Sequence, residues 1–127
     1  MIKYLVNQVP PLGANCYTVY DDKSKNCIII DLGGDFFKIL KQIEDFGLTP
    51  CGVILTHGHF DHIMSLDKLR EATGAPACIH KDDAEMLIDG EKNAFKFFFG
   101  QDRKWRDAEK LLSAGDKINL GDEVLEV

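Results

Sequence analysis

Histidine and aspartate side chains, which commonly bind metal ions, are concentrated in one short run of the chain. The run is Thr56-His57-Gly58-His59-Phe60-Asp61-His62, and it holds three of the four histidines among the 127 residues. Because alternate side chains of an extended segment share a face, we expect His57 and His59 to converge on one point. Asp61 and His62 are predicted to serve a second point nearby. Imidazole and carboxylate groups suit Zn²⁺, with Mn²⁺ and Fe²⁺ as alternatives, so the run predicts a metal site.

Two predicted elements position this run. The segment before it, 52–56, is apolar and typical of a short buried strand. The residues from Ile63 onward have helical periodicity, so Asp61 and His62 are expected to open a helix. Ligands placed between a strand and a helix favour a metal site over the alternative of solvated loop histidines. A second buried strand is predicted at 27–30, followed by a turn that glycines relieve, at 31–34.

The run 56–62 resembles the T-H-x-H-x-D-H signature of the metallo-β-lactamase superfamily. The resemblance extends along the chain through three further segments. Residues 15–17 are similar to the first inner strand of the superfamily, and residues 28–33 to its apolar strand with a D-x-G motif. Residues 115–121 are similar to its later hairpin. The overall pattern is most similar to that of the glyoxalase II-like hydrolases.

This resemblance implies an α/β (α+β) fold, the four-layer αββα sandwich, of which this chain would form the first half. We find no repeat, linker or low-complexity segment in the sequence. Residues 1–127 are therefore expected to form one N-terminal half-domain without an internal boundary. In the superfamily two such halves pack sheet against sheet, and the metal ions lie at the open edge between them.

The resemblance also implies a role for each candidate residue. His57 and His59 would bind one metal ion, and Asp61 and His62 would bind a second. Asp61 would also act in catalysis by steering the nucleophile or accepting its proton. Asp31 would hold the metal loop (residues 56–62) and orient a ligand histidine, with a plain turn residue as the alternative. The later histidines and the bridging aspartate of the superfamily have no counterpart in these 127 residues.

In the complete site, the resemblance implies that a metal-bound hydroxide attacks a small-molecule thioester, ester or lactone. Two zinc ions would be the cofactors, with iron or manganese as alternatives. We expect the isolated chain to be inactive because half of the ligands are missing. An iron-dependent sulfur dioxygenase or a flavodiiron-type redox protein is one alternative, although the flavodiiron pattern usually has Glu in place of His59. A non-catalytic binding or assembly module is another.

Composition narrows the remaining classes of function. The net charge is −6 without a basic cluster, which argues against a nucleic-acid partner. No apolar stretch approaches the roughly 18 residues that a membrane span needs. The N-terminus becomes polar too early for a signal peptide. The four cysteines lie in or beside apolar runs, so we expect reduced core residues of a cytoplasmic protein, with a cysteine that lines the site as the alternative.

Periodicity predicts the elements that surround the metal loop. Strands are expected at 2–6, 14–20, 77–80 and in a C-terminal hairpin at 118–127. Helices are expected at 35–46, with Asp35 as the cap, at 61–73 and at 83–88, and the segment 91–112 is expected to be helical in pieces. His80, the fourth histidine, is predicted to be satisfied by hydrogen bonds at a strand end rather than to bind metal.

One face of the predicted sheet lacks a cover. The strands 27–30 and 52–55 are apolar on successive residues, as in a sheet covered on both faces, whereas the predicted helices cover only one. The missing half of the sandwich or a second copy of the chain is therefore the expected partner of the other face. The alternative is that the aromatic segment 95–105 folds over it.

Overall fold

The computed structural model describes residues 2–10, 12–56, 58–101, 103–120 and 123–126. The strands are β1 (Ile2–Val9), β2 (Ala14–Asp21), β3 (Asn26–Ile30), β4 (Thr49–Leu55), β5 (Ala77–His80), β6 (Lys110–Leu112), β7 (Lys117–Leu120) and β8 (Glu123–Glu126). The α-helices are α1 (Phe36–Asp45), α2 (Leu66–Thr73), α3 (Glu85–Ile88) and α4 (Phe95–Phe99), and 3-10 turns lie at Phe60–His62 and Lys81–Asp83. This alternation of strands and helices confirms the predicted α/β class.

The main sheet has six strands in the order β1-β2-β3-β4-β5-β6. The first three pair antiparallel because short connections join them. The last four run parallel because α1, α2 and the segment 81–109 cross over between them. Parallel neighbours end at the same edge of a sheet, so the connections that follow β3 and β4 lie side by side.

One face of this sheet carries the hydrophobic core. Alternate strand residues point to that face, and α1 and α2 lay their apolar stripes on it. The buried residues that meet there include Cys16, Ile29, Val53, Leu55 and Ile79 from the strands, and Ile39, Ile43, Leu66 and Leu69 from the helices. None of the helices in the described ranges is long and apolar enough to be a candidate membrane span.

The opposite face of the sheet is only partly covered. The β7–β8 hairpin contacts β3, and a cavity of about 350 Å³ separates Ile118 and Leu125 of the hairpin from Ile30 and Ile54 of the sheet. Towards β1 the face is an open apolar trough, where the Tyr4 side chain is 67% exposed. The predicted uncovered surface is therefore present, although the hairpin narrows it.

The aromatic segment 95–105 packs on the helix-covered face and leaves the open face bare. Trp105 is 3% exposed within the core, and Phe95 packs against both Trp105 and Phe60. The alternative in which this segment covers the open face is therefore wrong. Residues 110–112, expected to belong to a helical region, form the edge strand β6 because they pair with β5.

Two predicted helix starts are corrected by the structure. Asp61 and His62 do not open α2. They belong to a 3-10 turn, and α2 begins at Leu66. The amide of the preceding residue, Ser65, donates to the carbonyl groups of Leu32 and Gly33 in the turn that follows β3. Asp35 occupies the N-cap position of α1, but its backbone is left-handed (φ 59°) and its side chain makes no capping hydrogen bond.

The cysteines follow the prediction at three of four positions. Cys16, Cys27 and Cys78 are buried, whereas Cys51 is exposed, and all four are free thiols. The register between β3 and β4 shifts between Cys27 and Ile28, which leaves Cys51 without a partner in the pairing. This bulge lies at the start of β4 and turns Cys51 away from the core.

Arg70 of α2 connects residues 106–109, which end the connection between β5 and β6, to the sheet. Its guanidinium, almost fully buried, donates to Oε2 of Glu109 (2.8 Å) and to the carbonyl oxygens of Arg106 (2.8 Å) and Asp107 (2.6 Å). The same Glu109 oxygen accepts from the Ala77 amide of β5 (2.7 Å). Partial burial raises the pKa of Glu109, but these hydrogen bonds and the Arg70 charge outweigh it and hold the pKa below its ordinary value.

We expect acid to weaken this connection through Glu109. Since folding lowers the pKa of this carboxyl group, its charge stabilises the native state above about pH 4.5, and that contribution is lost as the pH falls through the lower pKa of the folded protein. Glu109→Gln should lower the free energy of unfolding at pH 7 and flatten its dependence on acid, as measured by urea denaturation. The exposed α2 substitution Glu71→Gln is the control. Equal acid dependence in both variants and in the wild type would contradict this role.

Candidate metal centre

The edge of the sheet at which β3 and β4 end carries the metal loop. These strands are parallel neighbours, and Ile30 pairs with Ile54 near their ends. Asp31 directly follows β3, and Thr56 directly follows β4. Residues that follow parallel neighbouring strands lie together at one edge, which is where ligands bind in open α/β sheets.

Asp31 links the two strand ends through both its backbone and its carboxylate. Its amide donates to the Ile54 carbonyl (3.0 Å), and its backbone is left-handed (φ 59°), a conformation that aspartate adopts more readily than most residues. Its carboxylate is buried and accepts hydrogen bonds from the amide (2.8 Å) and the hydroxyl (2.6 Å) of Thr56. These bonds fix the first residue of the metal loop.

Gly33 lets the turn after β3 pack directly against the metal loop. A Cβ atom at Gly33 would lie 2.4 Å from the Asp61 carbonyl oxygen and 2.7 Å from Cγ2 of Val9. The turn was predicted to be relieved by its glycines, but the residue with a left-handed backbone is Asp31. Glycine is required here because a side chain would separate the two backbones.

His62 lies between two carboxylates. Its Nδ1 is 3.2 Å from Oδ2 of Asp31, and its Nε2 is 3.4 Å from Oδ2 of Asp61. The His62 and Asp61 side chains are 19% and 16% exposed, so both are shielded but reachable from solvent. A carboxylate beside one ring nitrogen is common around histidines that bind metal through the other nitrogen.

Apolar packing holds the back of the metal loop. Phe60 is 1% exposed, and its amide donates to the Asn93 carbonyl (2.8 Å). Its ring packs against those of Phe95, Phe98 and Phe99. A Cβ atom at Gly58 would lie 2.5 Å from Cβ of Met86, so this position also requires glycine. The loop is therefore clamped between α3, α4 and the sheet edge.

Sequence reasoning missed the role of Asn93, which is fully buried in this clamp. Its side chain donates to the Arg103 carbonyl (3.1 Å) and accepts from the Phe95 amide (3.0 Å), while its own carbonyl holds Phe60. A polar residue in a segment of mixed character carries no motif, so the sequence offered no signal for it. Asp31 was predicted to hold the metal loop, but the prediction did not name Thr56 as the residue that it bonds.

Of the other two predicted ligands, the structure describes one. His57 lies outside the described residues. His59 is exposed and extended (φ −65°, ψ 145°), immediately before the 3-10 turn. Within the described ranges, no group of three or more His, Cys, Asp or Glu side chains is arranged to hold a metal ion. The convergence of His57 with His59, and the cluster of four ligands, therefore stay predictions.

The described part of the centre fits a metal ion by its donor chemistry. The Asp61 carboxylate and the His62 imidazole place an oxygen and a nitrogen donor 3.4 Å apart. Zn²⁺, Mn²⁺ and Fe²⁺ all accept this donor pair. The position of Asp31 beside the second His62 nitrogen supports the same chemistry.

Two other candidate groups have different environments. The Nδ1 atom of His80 accepts from the Asp82 amide (3.1 Å) at the start of a 3-10 turn, as predicted for a hydrogen-bonded strand-end histidine. Burial, reinforced by the negative charge of Asp31, raises the pKa of the Cys16 thiol to about 12. A thiol with this pKa stays protonated at neutral pH, so Cys16 is a core residue rather than a ligand or nucleophile.

Comparisons with curated proteins identify relatives that are longer than this chain. The probable metallo-hydrolase YqgX of Bacillus subtilis (strain 168) is 36% identical over 113 residues, which cover 89% of this chain and 53% of that protein. The hydroxyacylglutathione hydrolase GloC of Haemophilus influenzae is 38% identical over 83 residues, which cover 65% of this chain and 34% of that protein. The chain thus spans about half the length of YqgX and a third of the length of GloC.

Solved structures share the fold over most of the chain. The B3 metallo-beta-lactamase BLEG-1 matches with a TM-score of 0.88 and 26% identity, over 98% of this chain and 59% of that chain. TTHA1623, solved in a di-iron-bound form, matches with a TM-score of 0.74 and 25% identity, over 90% and 56%. The family model of the metallo-beta-lactamase superfamily matches residues 9–127. Because that match includes both strand ends and the whole metal loop, the chain belongs to the metallo-beta-lactamase superfamily.

Proposed function

We propose that this chain is part of a metal-dependent hydrolase that cleaves a thioester, ester or lactone in a small molecule. The observation that carries the proposal is the contact series Asp31–His62–Asp61 at the shared edge of β3 and β4. It supplies donors for a metal ion at a place where a substrate has access from solvent. Two relatives support the reaction class through their names, a probable metallo-hydrolase and a hydroxyacylglutathione hydrolase.

In this proposal His57 and His59 hold one zinc ion, and Asp61 and His62 hold a second. When bound, the ions supply a Lewis acid for the substrate carbonyl group and make water acidic enough to attack it at neutral pH. Asp61, whose carboxylate is partly open to solvent, would steer the nucleophile or accept its proton. Asp31 is a positioning residue that keeps the His62 ring in one orientation.

The metal loop offers four proposed ligands, which is two for each proposed ion. Outside the metal loop the sequence contains one histidine, His80, whose Nδ1 atom is bonded to the Asp82 amide. Catalytic zinc usually has three protein ligands, so the proposed centre needs donors from beyond these 127 residues. We therefore propose that the isolated chain is inactive and that activity belongs to a longer protein.

An iron-dependent redox enzyme is the second candidate. TTHA1623 carries a di-iron centre on the same fold, and the donor types in the metal loop accept iron as well as zinc. Two measurements on the full-length protein, purified without added metal, distinguish these candidates. They are its metal content and its oxygen uptake in the presence of thiol substrates. Zinc content without oxygen uptake supports the hydrolase.

We also propose a cytoplasmic, reducing environment and a partner for the open sheet face. All four cysteines are free, and burial raises the pKa values of Cys16 and Cys27 to about 12.

The apolar trough beside β1 calls for either the remaining part of the longer protein or a second copy of this chain.

Replacing His59 by alanine in the full-length protein should reduce metal-dependent turnover by on the order of 100-fold or more, because the proposed centre loses a ligand. Thioester hydrolysis and metal content are the measurements. His80→Ala is the matched control, since it removes a histidine that bonds to a helix start, and it should retain both. Wild-type activity in His59→Ala would show that the ligand assignment is wrong.

Replacing Asp31 by asparagine should lower the free energy of unfolding of the chain by about 1–3 kcal/mol, because the amide cannot replace both acceptor oxygens of a buried carboxylate. Urea denaturation gives this quantity. Asp35→Asn is the control, as Asp35 has the same left-handed backbone but an exposed side chain without a capping bond, and its effect should stay below about 0.5 kcal/mol. Equal effects would refute a special role for the Asp31 contacts.

The isolated chain should self-associate through the open face at tens of micromolar, because the trough beside β1 exposes apolar area that water disfavours. Light scattering after size exclusion gives the mass. Tyr4→Lys should restore the monomer, whereas Phe97→Lys, at an even more exposed aromatic residue on α4, should not. A stable wild-type monomer that binds no hydrophobic dye would rule out this association.

A further inference from the structure

We propose that a cavity between the N-termini of α1 and α2 binds a small oxyanion, the phosphate or carboxylate group of a small molecule with an apolar body. The cavity has a volume of about 350 Å³ and is lined by residues 34–38, by the residues around the start of α2 and by Arg103. Of the proposed metal ligands that the structure describes, His59, Asp61 and His62, none lines it. The proposal goes beyond the hydrolase function and does not depend on it.

The charge of the cavity wall is the first observation. Among the described residues that line the cavity, Lys38, Lys68 and Arg103 stand against one carboxylate, that of Asp35. In the part of the chain that the structure describes, neither Lys38 nor Lys68 forms an ion pair with a carboxylate. Three cations around one cavity are a concentration of positive charge in a chain whose net charge is −6. Such a concentration attracts anions.

The second observation is that two helices begin at this cavity. Asp35 and Ser65 are the N-cap residues of α1 and α2, which have ten and eight residues, and neither side chain makes a capping hydrogen bond. Ser65 lines the cavity and is only 4% exposed, so its hydroxyl group is a buried polar group at the wall. The amide groups of a first helical turn lack intrahelical acceptors and carry partial positive charge. Both helix ends therefore favour an anion.

Arg103 is held in place before any ligand binds. Its guanidinium lies 4.3 Å from the centre of the Trp105 ring and 5.5 Å from that of Phe95, and its Nη2 is 3.5 Å from the Met64 carbonyl oxygen. A guanidinium stacked on aromatic rings loses little freedom when it binds an oxyanion. Part of the lining is apolar, since Phe36 and Phe37 contribute to it and Phe37 is 79% exposed. This part suits the body of the ligand.

The test is a titration of the chain, freed of metal on a chelating resin, with inorganic phosphate, phenyl phosphate and benzoate. Amide resonances are followed by nuclear magnetic resonance. We expect saturable shifts centred on Lys38, Ser65 and Lys68, and tighter binding of phenyl phosphate than of inorganic phosphate because the ring meets Phe37. A preference for phenyl phosphate over benzoate would identify a phosphate-bearing ligand, and the reverse a carboxylate.

Two double variants with the same change in charge make the test specific. Lys38→Gln/Lys68→Gln should weaken binding on the order of tenfold, because two cations leave the wall. Lys23→Gln/Lys41→Gln removes two exposed cations that do not line the cavity and should change binding by less than about twofold. All four lysines are exposed, so both variants should fold. The absence of saturable shifts with all three probes, or an equal loss in both variants, would overturn the proposal.

Discussion

The buried carboxylate of Asp31 is the interaction on which the candidate centre depends. It joins the end of β3 to the start of the metal loop through Thr56 and lies beside His62. A carboxylate that is 5% exposed carries a large desolvation cost unless its oxygen atoms are bonded. Any movement of the loop away from the strand would break those bonds, so the desolvation cost itself keeps the loop in place.

Other contacts of the metal loop also hold it in place. Gly33 permits backbone packing at Asp61, Gly58 packs against Met86, and Phe60 fills an aromatic pocket behind the loop. None of these contacts involves a metal ion. The described part of the loop is thus shaped by burial and by steric fit, which is the condition for a preorganised site. The entropy cost of ordering the loop is therefore offset by the contacts made on folding rather than by the binding of a metal ion.

The sequence predicted those features that depend on local pattern. Apolar runs located β3, β4 and β5, and the spacing of polar residues located the metal loop between a strand and a helical region. Asp61 and His62 were misplaced in α2 because periodicity does not reveal that the Ser65 amide bonds back to Leu32 and Gly33. The exposure of Cys51 depends on a register shift between two strands. Such features arise from pairing between distant segments, which a pattern within one segment does not contain.

The parallel topology explains why a proposed cation site and a proposed anion site can be close neighbours in one small domain. In each β-α unit the strand ends, and the next helix begins, at the same edge of the sheet. Asp31 follows β3 there and the metal loop follows β4, while the positive ends of α1 and α2 face the adjacent cavity. The turn at Gly33 and Gly34 separates the two by a single layer of backbone, since Gly33 packs on Asp61 and Gly34 lines the cavity.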